Sequence, residues 1–399
     1  MTVELSRTIQ QTLSVLHQQA SEAMAAADAE TARDRLKQAL NLHSSDPGLW
    51  LHLAAASRAC CDYSGAMVAV DQALRLDPRF FLALLMRATL LERDGKSKEA
   101  ARAYGVALTQ APADSRLDSA SLQAIRHGRL VYERYLRGMR EHLNQIVPLI
   151  TETNSGVVGR RLANFVDSTL GLKPRFRQEP TDYFYPGLPA TEFWERGEFP
   201  WLEELEAATP RIQQELAQIM AVEQGFTPYV DYPDGIPLDQ WAALNRSLSW
   251  SAFHFFHHGR RYEENCLRCP ATMAALAKLP QPQAAGRMPA AMFSVLKPQT
   301  RIPPHTGVAN VRLVMHLPLV VPSGCGFRVG NEIREWRVGQ AWIFDDTIEH
   351  EAWNNSNEVR VVLICDVWNP RLSTIERENI SAVLAAMDSY NELTPSEGL

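Results

Sequence analysis

Apolar and small positions along the first third of the chain repeat every 34 residues. The pairs Ala39-Leu40, Ala73-Leu74 and Ala107-Leu108 mark the interval, and in the same register small residues recur at Ala20, Ala54 and Ala88 and again at Ala32, Ala66 and Ala100. Larger side chains fill the positions between them: Leu16, Trp50 and Leu84 in one set, Leu36, Val70 and Tyr104 in another, with Pro78 and Pro112 closing two of the units. Two helices approach closely only where side chains are small, and a helical hairpin cannot bury its apolar face alone, so this pattern predicts stacked helix pairs. The helical stretch from about Leu117 to Arg140 is expected to cover the last apolar face of the stack. Beyond it, TETNSGVVGRR loosens the helical pattern and PTDYFYPGLPATEFW shifts the composition to prolines and aromatics. After a short helical piece around Trp201 to Ala221, the chain turns to apolar or alternating segments read as strands: MFSVLKP, VRLVMHLPLVV, GFRVG, REWRV, AWIFDD, HEAWNN and VRVVLICDVWNP. Gly330-Asn331 and Pro322-Ser323-Gly324 supply turns between them.

The repeats resemble the tetratricopeptide repeat over roughly residues 13–112. The expected fold is therefore α+β multidomain. An N-terminal all-α tetratricopeptide-repeat solenoid precedes a double-stranded β-helix of the jelly-roll or cupin-like kind, because many short strands following an all-helical region suggest an antiparallel double sheet. The expected boundaries are 1–150 for the repeat domain with its capping helices, 151–184 for a linker, 185–378 for the strand-rich domain and 379–399 for a C-terminal tail. A stack of this kind leaves a concave groove suited to a peptide or protein partner, or it serves only to buttress the next domain.

The 399 residues, 46% hydrophobic and 22% charged, suffice for two domains with proper cores. A net charge of −6 argues against a general nucleic-acid binder, which needs a broad basic surface. The N-terminal MTVELSRTIQQTL lacks a basic segment followed by an apolar core, and no run of about 18 apolar residues occurs, so neither export nor a membrane span is expected. Six scattered cysteines do not make a disulfide scaffold, and a reducing, cytoplasmic setting is the natural expectation. Oligomeric state is not legible.

Candidate chemistry gathers in residues 290–370. His305 sits in PPHTG just before one strand and His350 in DDTIEHEAW at the start of a later one, 45 residues on. A jelly roll brings distant strand ends together at its mouth, where two neutral imidazoles can share one Fe(II)-class ion; the bland alternative is two surface or satisfied core histidines. Arg360 follows His350 by ten residues inside the apolar run VRVVLICDVW. Unless it lies on an exposed edge, its guanidinium needs an anion, because an unpaired buried charge is costly. A dicarboxylate cosubstrate spanning metal and Arg360 meets that need, with Ser294 in MFSVLKP available as a donor. Strand alternation points Arg312, Val314 and His316 one way; inward, they line the same pocket, and otherwise His316 is a core histidine and Arg312 a solvated one.

With these residues assembled, the strand-rich part resembles the aspartyl/asparaginyl beta-hydroxylase family of Fe(II)- and 2-oxoglutarate-dependent oxygenases. The resemblance runs from FYPGLPATEFWERGEFPWLEELE through WSAFHFFHHGRR and ENCLRCP to PHTG, RLVMHL, IFDDTIEHEAWN and RVVLICDVWNP. The animal enzyme also joins a tetratricopeptide-like region to its oxygenase domain. The resemblance implies Fe(II) held by His305 and His350, and 2-oxoglutarate held by Ser294, His316 and Arg360. It further implies substrate contacts at Arg312 and Trp250, and dioxygen-dependent hydroxylation of an unactivated C–H bond. A facial triad places Asp or Glu two residues after its first histidine, but Gly307 stands here, as in the animal hydroxylase, where water takes the carboxylate's place. Asp345 and Asp346 are alternative carboxylates, expected to have turn or supporting roles.

Two positions depart from the animal pattern: Val314 replaces a second arginine and Ala252 replaces a glutamine. Loss of polar contacts discriminates strongly between acids and their analogues. The main expectation is the beta carbon of an aspartyl or asparaginyl residue; the alternatives are a small-molecule, carrier-bound or lipid substrate, or a repeat-based binding protein with an inactive oxygenase domain. Cys266 and Cys269 form a lone CxxC: packed thiols or a local disulfide are expected, against a redox pair or a zinc site completed by His257 and His258.

Overall fold

Helix pairs open the computed structural model, which describes residues 2–113, 117–147, 156–222, 224–284 and 286–390. Two units divide the chain, Met1–Lys173 and Pro174–Leu399. In the first, α1 (Thr2–Ala25) pairs with α2 (Ala29–Leu42), α3 (Pro47–Ala59) with α4 (Tyr63–Leu76), and α5 (Phe81–Arg93) with α6 (Ser97–Thr109). The recurring alanines at 20, 54, 88, 32, 66 and 100 are all buried. Each hairpin turns through a residue in the left-handed region: Ala27 (φ 60°), Cys61 (φ 60°) and Gly95 (φ 76°), again 34 apart. Asp28 and Asp62 then accept hydrogen bonds from the backbone N–H groups of Thr31 and Gly65, satisfying donors that a helix start leaves open. Tyr104 occupies the position held by Leu36 and Val70; its hydroxyl donates to Glu92 at 2.7 Å, and Glu92 also meets His127 at 2.9 Å.

The capping helix α7 runs Ser119–Ile146, longer than the pattern indicated, and places Ile125 and Tyr132 against the last pair. Residues 151–184, expected as a linker, contain a further helix, α8 (Gly156–Thr169), whose Asp167 is held by Arg140 of α7 at 2.8 Å and by Lys173 at 3.1 Å. The first unit thus continues to Lys173. The expected boundary at 150/151 and the last part of the expected tail, 391–399, lie outside the described residues.

In the second unit α9 (Leu202–Ala207), α10 (Thr209–Val222), α11 (Glu263–Arg268) and α12 (Pro270–Leu276) precede or interrupt the strands. The strands are β1 (Thr227–Pro228), β2 (Trp250–His257), β3 (Arg260–Arg261), β4 (Ala291–Leu296), β5 (Thr300–His305), β6 (Arg312–Val320), β7 (Cys325–Val329), β8 (Glu332–Arg334), β9 (Trp342–Phe344), β10 (His350–Asn354) and β11 (Arg360–Trp368). Among the described residues they form two antiparallel sheets. One is ordered β1-β2-β4-β11-β6-β9 with β3 beside β2, and the other β5-β10-β7-β8. From β4 onward the chain crosses repeatedly between the sheets, the connectivity of a jelly roll. Helix α13 (Thr374–Tyr390) follows, so the expected tail is helical through Tyr390.

The first sheet is apolar on both faces. Phe253, Phe293, Met315 and Leu363 point outward under α10 and α12, while Leu296, Val314 and Val362 point inward against Phe327 and Ala352 of the second sheet. Into this inner face β4, β6 and β11 also insert Ser294, Arg312, His316, Arg360 and Asp366, all buried. Such polar residues on an otherwise apolar inner face are costly unless something pairs them. Of the segment read as strand REWRV, only Arg334 is in a strand; residues 335–341 loop from β8 to β9 and bury Trp336. No helix among the described residues is long and apolar enough to cross a membrane.

Candidate active site

His305 is the last residue of β5 rather than a loop residue before a strand. Its strand contains Pro303 and Pro304, which a ladder tolerates only at an edge, and β5 is the edge of its sheet. His350 opens β10 directly opposite, in register with His305, and the ring centroids lie 4.1 Å apart. Each imidazole is fixed by the same device: Nδ1 of His305 meets the carbonyl of Pro303 at 2.8 Å, and Nδ1 of His350 that of Ile348 at 3.1 Å. A carbonyl only accepts, so Nδ1 carries the proton and Nε2 keeps its lone pair, the tautomer a metal-ligating histidine needs. Burial holds both rings below the usual histidine range, His350 well below, where the neighbouring His305 adds to the effect. Two neutral imidazoles with aligned supports fit a divalent transition-metal ion.

No third protein ligand joins them: among the described residues no group of three His, Cys, Asp or Glu stands ready to hold a metal. Position 307 has no room for one, because a Cβ on Gly307 would run into the Asp346 carboxylate. Asp346 instead pairs with Arg312 at 2.9 Å, and its Oδ1 is buried without a partner among the described residues. Asp345 is occupied in a turn, accepting from the backbone N–H and hydroxyl of Thr347 and from Gln178; burial raises its carboxyl to about 6.

Arg312, Val314 and His316 share the inner face, as strand alternation requires. Arg312 is not solvated: burial opposes its charge, but Asp346 and Asp366, at 2.9 and 3.3 Å, outweigh it and hold the guanidinium protonated. His316 packs among Phe344, Phe327 and Trp336 with Nδ1 unpartnered, and burial together with nearby Arg360 keeps it neutral. Arg360 is 1% exposed. Its Nε and Nη2 have no acceptor among the described residues, and burial draws its pKa down to about 10. Trp250 Nε1 donates to Ser294 Oγ at 3.2 Å, joining two of the residues named from sequence.

Two aromatic contacts were not legible in the sequence. Trp241 meets the His305 ring edge-on at 5.1 Å, and Tyr229 stacks on Trp250 at 3.9 Å. Both come from the irregular segment before β2, which has no periodicity to mark them; the Nε2 bond from Gln240 to the carbonyl of Pro304 holds that segment to β5. Cys266 and Cys269 are free thiols in the outer core, their pKa values raised by burial, that of Cys269 to about 12.

The inner-face residues and the histidine pair lie within a stretch that resembles a known family. Residues 206–370 match the family model described as Aspartyl/Asparaginyl beta-hydroxylase. Over those residues the chain is similar to that family. Over 205 residues it is 34% identical to the human protein named Aspartyl/asparaginyl beta-hydroxylase, an alignment covering 50% of this chain and 26% of the relative. Over 189 residues it is 32% identical to the Ornithine lipid ester-linked acyl 2-hydroxylase of Rhizobium tropici, covering 47% of this chain and 63% of that one. The chain therefore spans about a quarter of the length of the human relative. Among solved structures, the Arabidopsis OM64 TPR domain aligns with 30% of this chain and 97% of its own at 21% identity and a TM-score of 0.27.

Proposed function

We propose that the chain is an Fe(II)- and 2-oxoglutarate-dependent dioxygenase that hydroxylates the beta carbon of an aspartyl or asparaginyl residue in a peptide or protein. The observation that carries this reading is Arg360, a fully buried guanidinium with no anion on its Nε or Nη2 among the described residues, on the inner face of one sheet, while the other sheet carries a supported histidine pair. A charge so placed is tolerable only if a ligand supplies its partner. His305 and His350 would hold the iron, and Arg360, His316 and Ser294 would hold 2-oxoglutarate. When bound, iron with 2-oxoglutarate and dioxygen supplies the oxidising chemistry that replaces a C–H hydrogen by hydroxyl. The protein's own part is positional. The Nδ1 bonds fix both imidazoles, Trp241 and Trp250 flank His305 and limit water, and the Arg312–Asp346–Asp366 cluster presents polar groups beside the pair. The repeat groove would deliver the peptide.

The named relative that acts on a lipid, together with apolar Val314 and fully buried Ala252, favours a second reading in which the substrate is a lipid, carrier-bound or small molecule. Mass spectrometry separates the two. Asp- or Asn-containing peptides are expected to gain one oxygen in step with succinate formation, and the second reading predicts that acyl substrates gain it instead. If no substrate of either class is hydroxylated by folded, iron-loaded protein, the catalytic reading falls and the binding-protein alternative takes its place.

A further inference from the structure

Five buried polar atoms without a partner among the described residues come from one small region: Nε and Nη2 of Arg360, Nδ1 of His316, and Nε1 of Trp336 and of Trp342. These residues form a contiguous stack. The Arg360 guanidinium lies 4.8 Å over the Trp336 ring, the His316 ring 6.2 Å from it and the Trp342 ring 5.8 Å from it. The aromatic face accounts for how Trp336 holds a cation. It does not account for the indole N–H, which in a buried tryptophan ordinarily finds an acceptor. Cys325, whose thiolate would favour the charge of Arg360, offers no anion: burial raises its thiol pKa, and it donates to Asn354 Oδ1 at 3.3 Å.

A carboxylate has two oxygens and about four lone-pair directions, enough for the guanidinium fork and one further donor. Resting on the cosubstrate reading above, we infer that Trp336 is a binding residue for 2-oxoglutarate, its Nε1–H donating to the same far-end carboxylate that Arg360 holds. Trp336 comes from the loop between β8 and β9, so on this inference that loop contributes to the selection of a dicarboxylate. Trp342 shares the stack, but the Arg360 guanidinium lies over Trp336, which makes Trp342 the internal control.

The test uses the full chain loaded with Zn(II) as a redox-silent stand-in, with tryptophans labelled at the indole nitrogen. The Trp336 and Trp342 resonances are assigned by their loss in Trp336→Phe, or Trp336→Tyr if the first folds poorly, and in Trp342→Phe. Adding 2-oxoglutarate should shift the Trp336 N–H downfield and leave that of Trp342 in place, while pyruvate, which lacks the far carboxylate, should move neither. Trp336→Phe keeps the aromatic face and should weaken 2-oxoglutarate binding about tenfold, the scale of one hydrogen bond to a charged group. A stationary Trp336 resonance at saturation, or unchanged affinity in the variant, overturns the inference while leaving the cosubstrate reading intact. No binding of 2-oxoglutarate to the unaltered chain overturns both.

Discussion

Tyr104 in the repeats and Arg360 in the double sheet are both large side chains with polar ends and no more than 1% exposure. The Tyr104 hydroxyl ends on Glu92, which in turn is held by His127 across to the capping helix; the Arg360 guanidinium faces an aromatic ring and leaves two of its nitrogens unmatched. The first network closes on itself and behaves as structure. The second has no acceptor for those nitrogens among the described residues, and an unmatched buried charge carries a desolvation cost. The same contrast separates Asp345, whose oxygens are occupied in a turn, from its neighbour Asp346, whose Oδ1 is left open beside Gly307.

The comparison predicts opposite consequences for removing the two groups. Arg360→Met should raise the 2-oxoglutarate requirement about a hundredfold, the scale of a truncated buried charge pair, measured from cosubstrate titrations of turnover. The same variant should stabilise the ligand-free protein by about 1–3 kcal/mol in urea unfolding, because it exchanges an unmatched buried charge for an apolar side chain. A loss of stability there would mean that Arg360 is structural. Tyr104→Phe should do the reverse, costing about 1 kcal/mol by removing one donor from a closed network, with no change in cosubstrate affinity. The smallest effect belongs to the hairpin turns. Cys61→Gly should add about 0.5 kcal/mol by relieving a left-handed backbone at φ 60°, where the next repeat already carries Gly95. An unchanged or lower melting midpoint would show the strain to be absorbed elsewhere.

The repeat was legible because its packing depends on small residues at fixed offsets, a signal carried by identity and spacing alone. Helix α8 was not, because its polar stretch begins at Gly156 and contains Gly159, and its docking rests on the Arg140–Asp167–Lys173 pairs, which no periodicity marks. In the double sheet, Arg360 was legible as a charge inside an apolar run, and His316 and Arg312 through strand alternation. Strand β5 was masked by Pro303 and Pro304, which only its edge position allows. The resemblance implies a substrate contact at Arg312; what the sequence did not mark is that its guanidinium also meets two carboxylates of the protein's own, contributed by residues 34 and 54 positions further along the chain. Trp241, Tyr229 and Trp336 escaped notice for one reason: each lies in an irregular segment, where spacing does not tell a buried ring from an exposed one.

The central claim is that His305 and His350 together with the open cation at Arg360 form one site for iron and 2-oxoglutarate. Anaerobic titration of the metal-stripped chain with Fe(II) and 2-oxoglutarate tests it most directly, read by the weak visible charge-transfer band of a chelated complex and repeated with His350→Ala. The account predicts a band in the native protein that vanishes in a folded His350→Ala variant. A band that persists in that variant, or no band in the native chain, would contradict it.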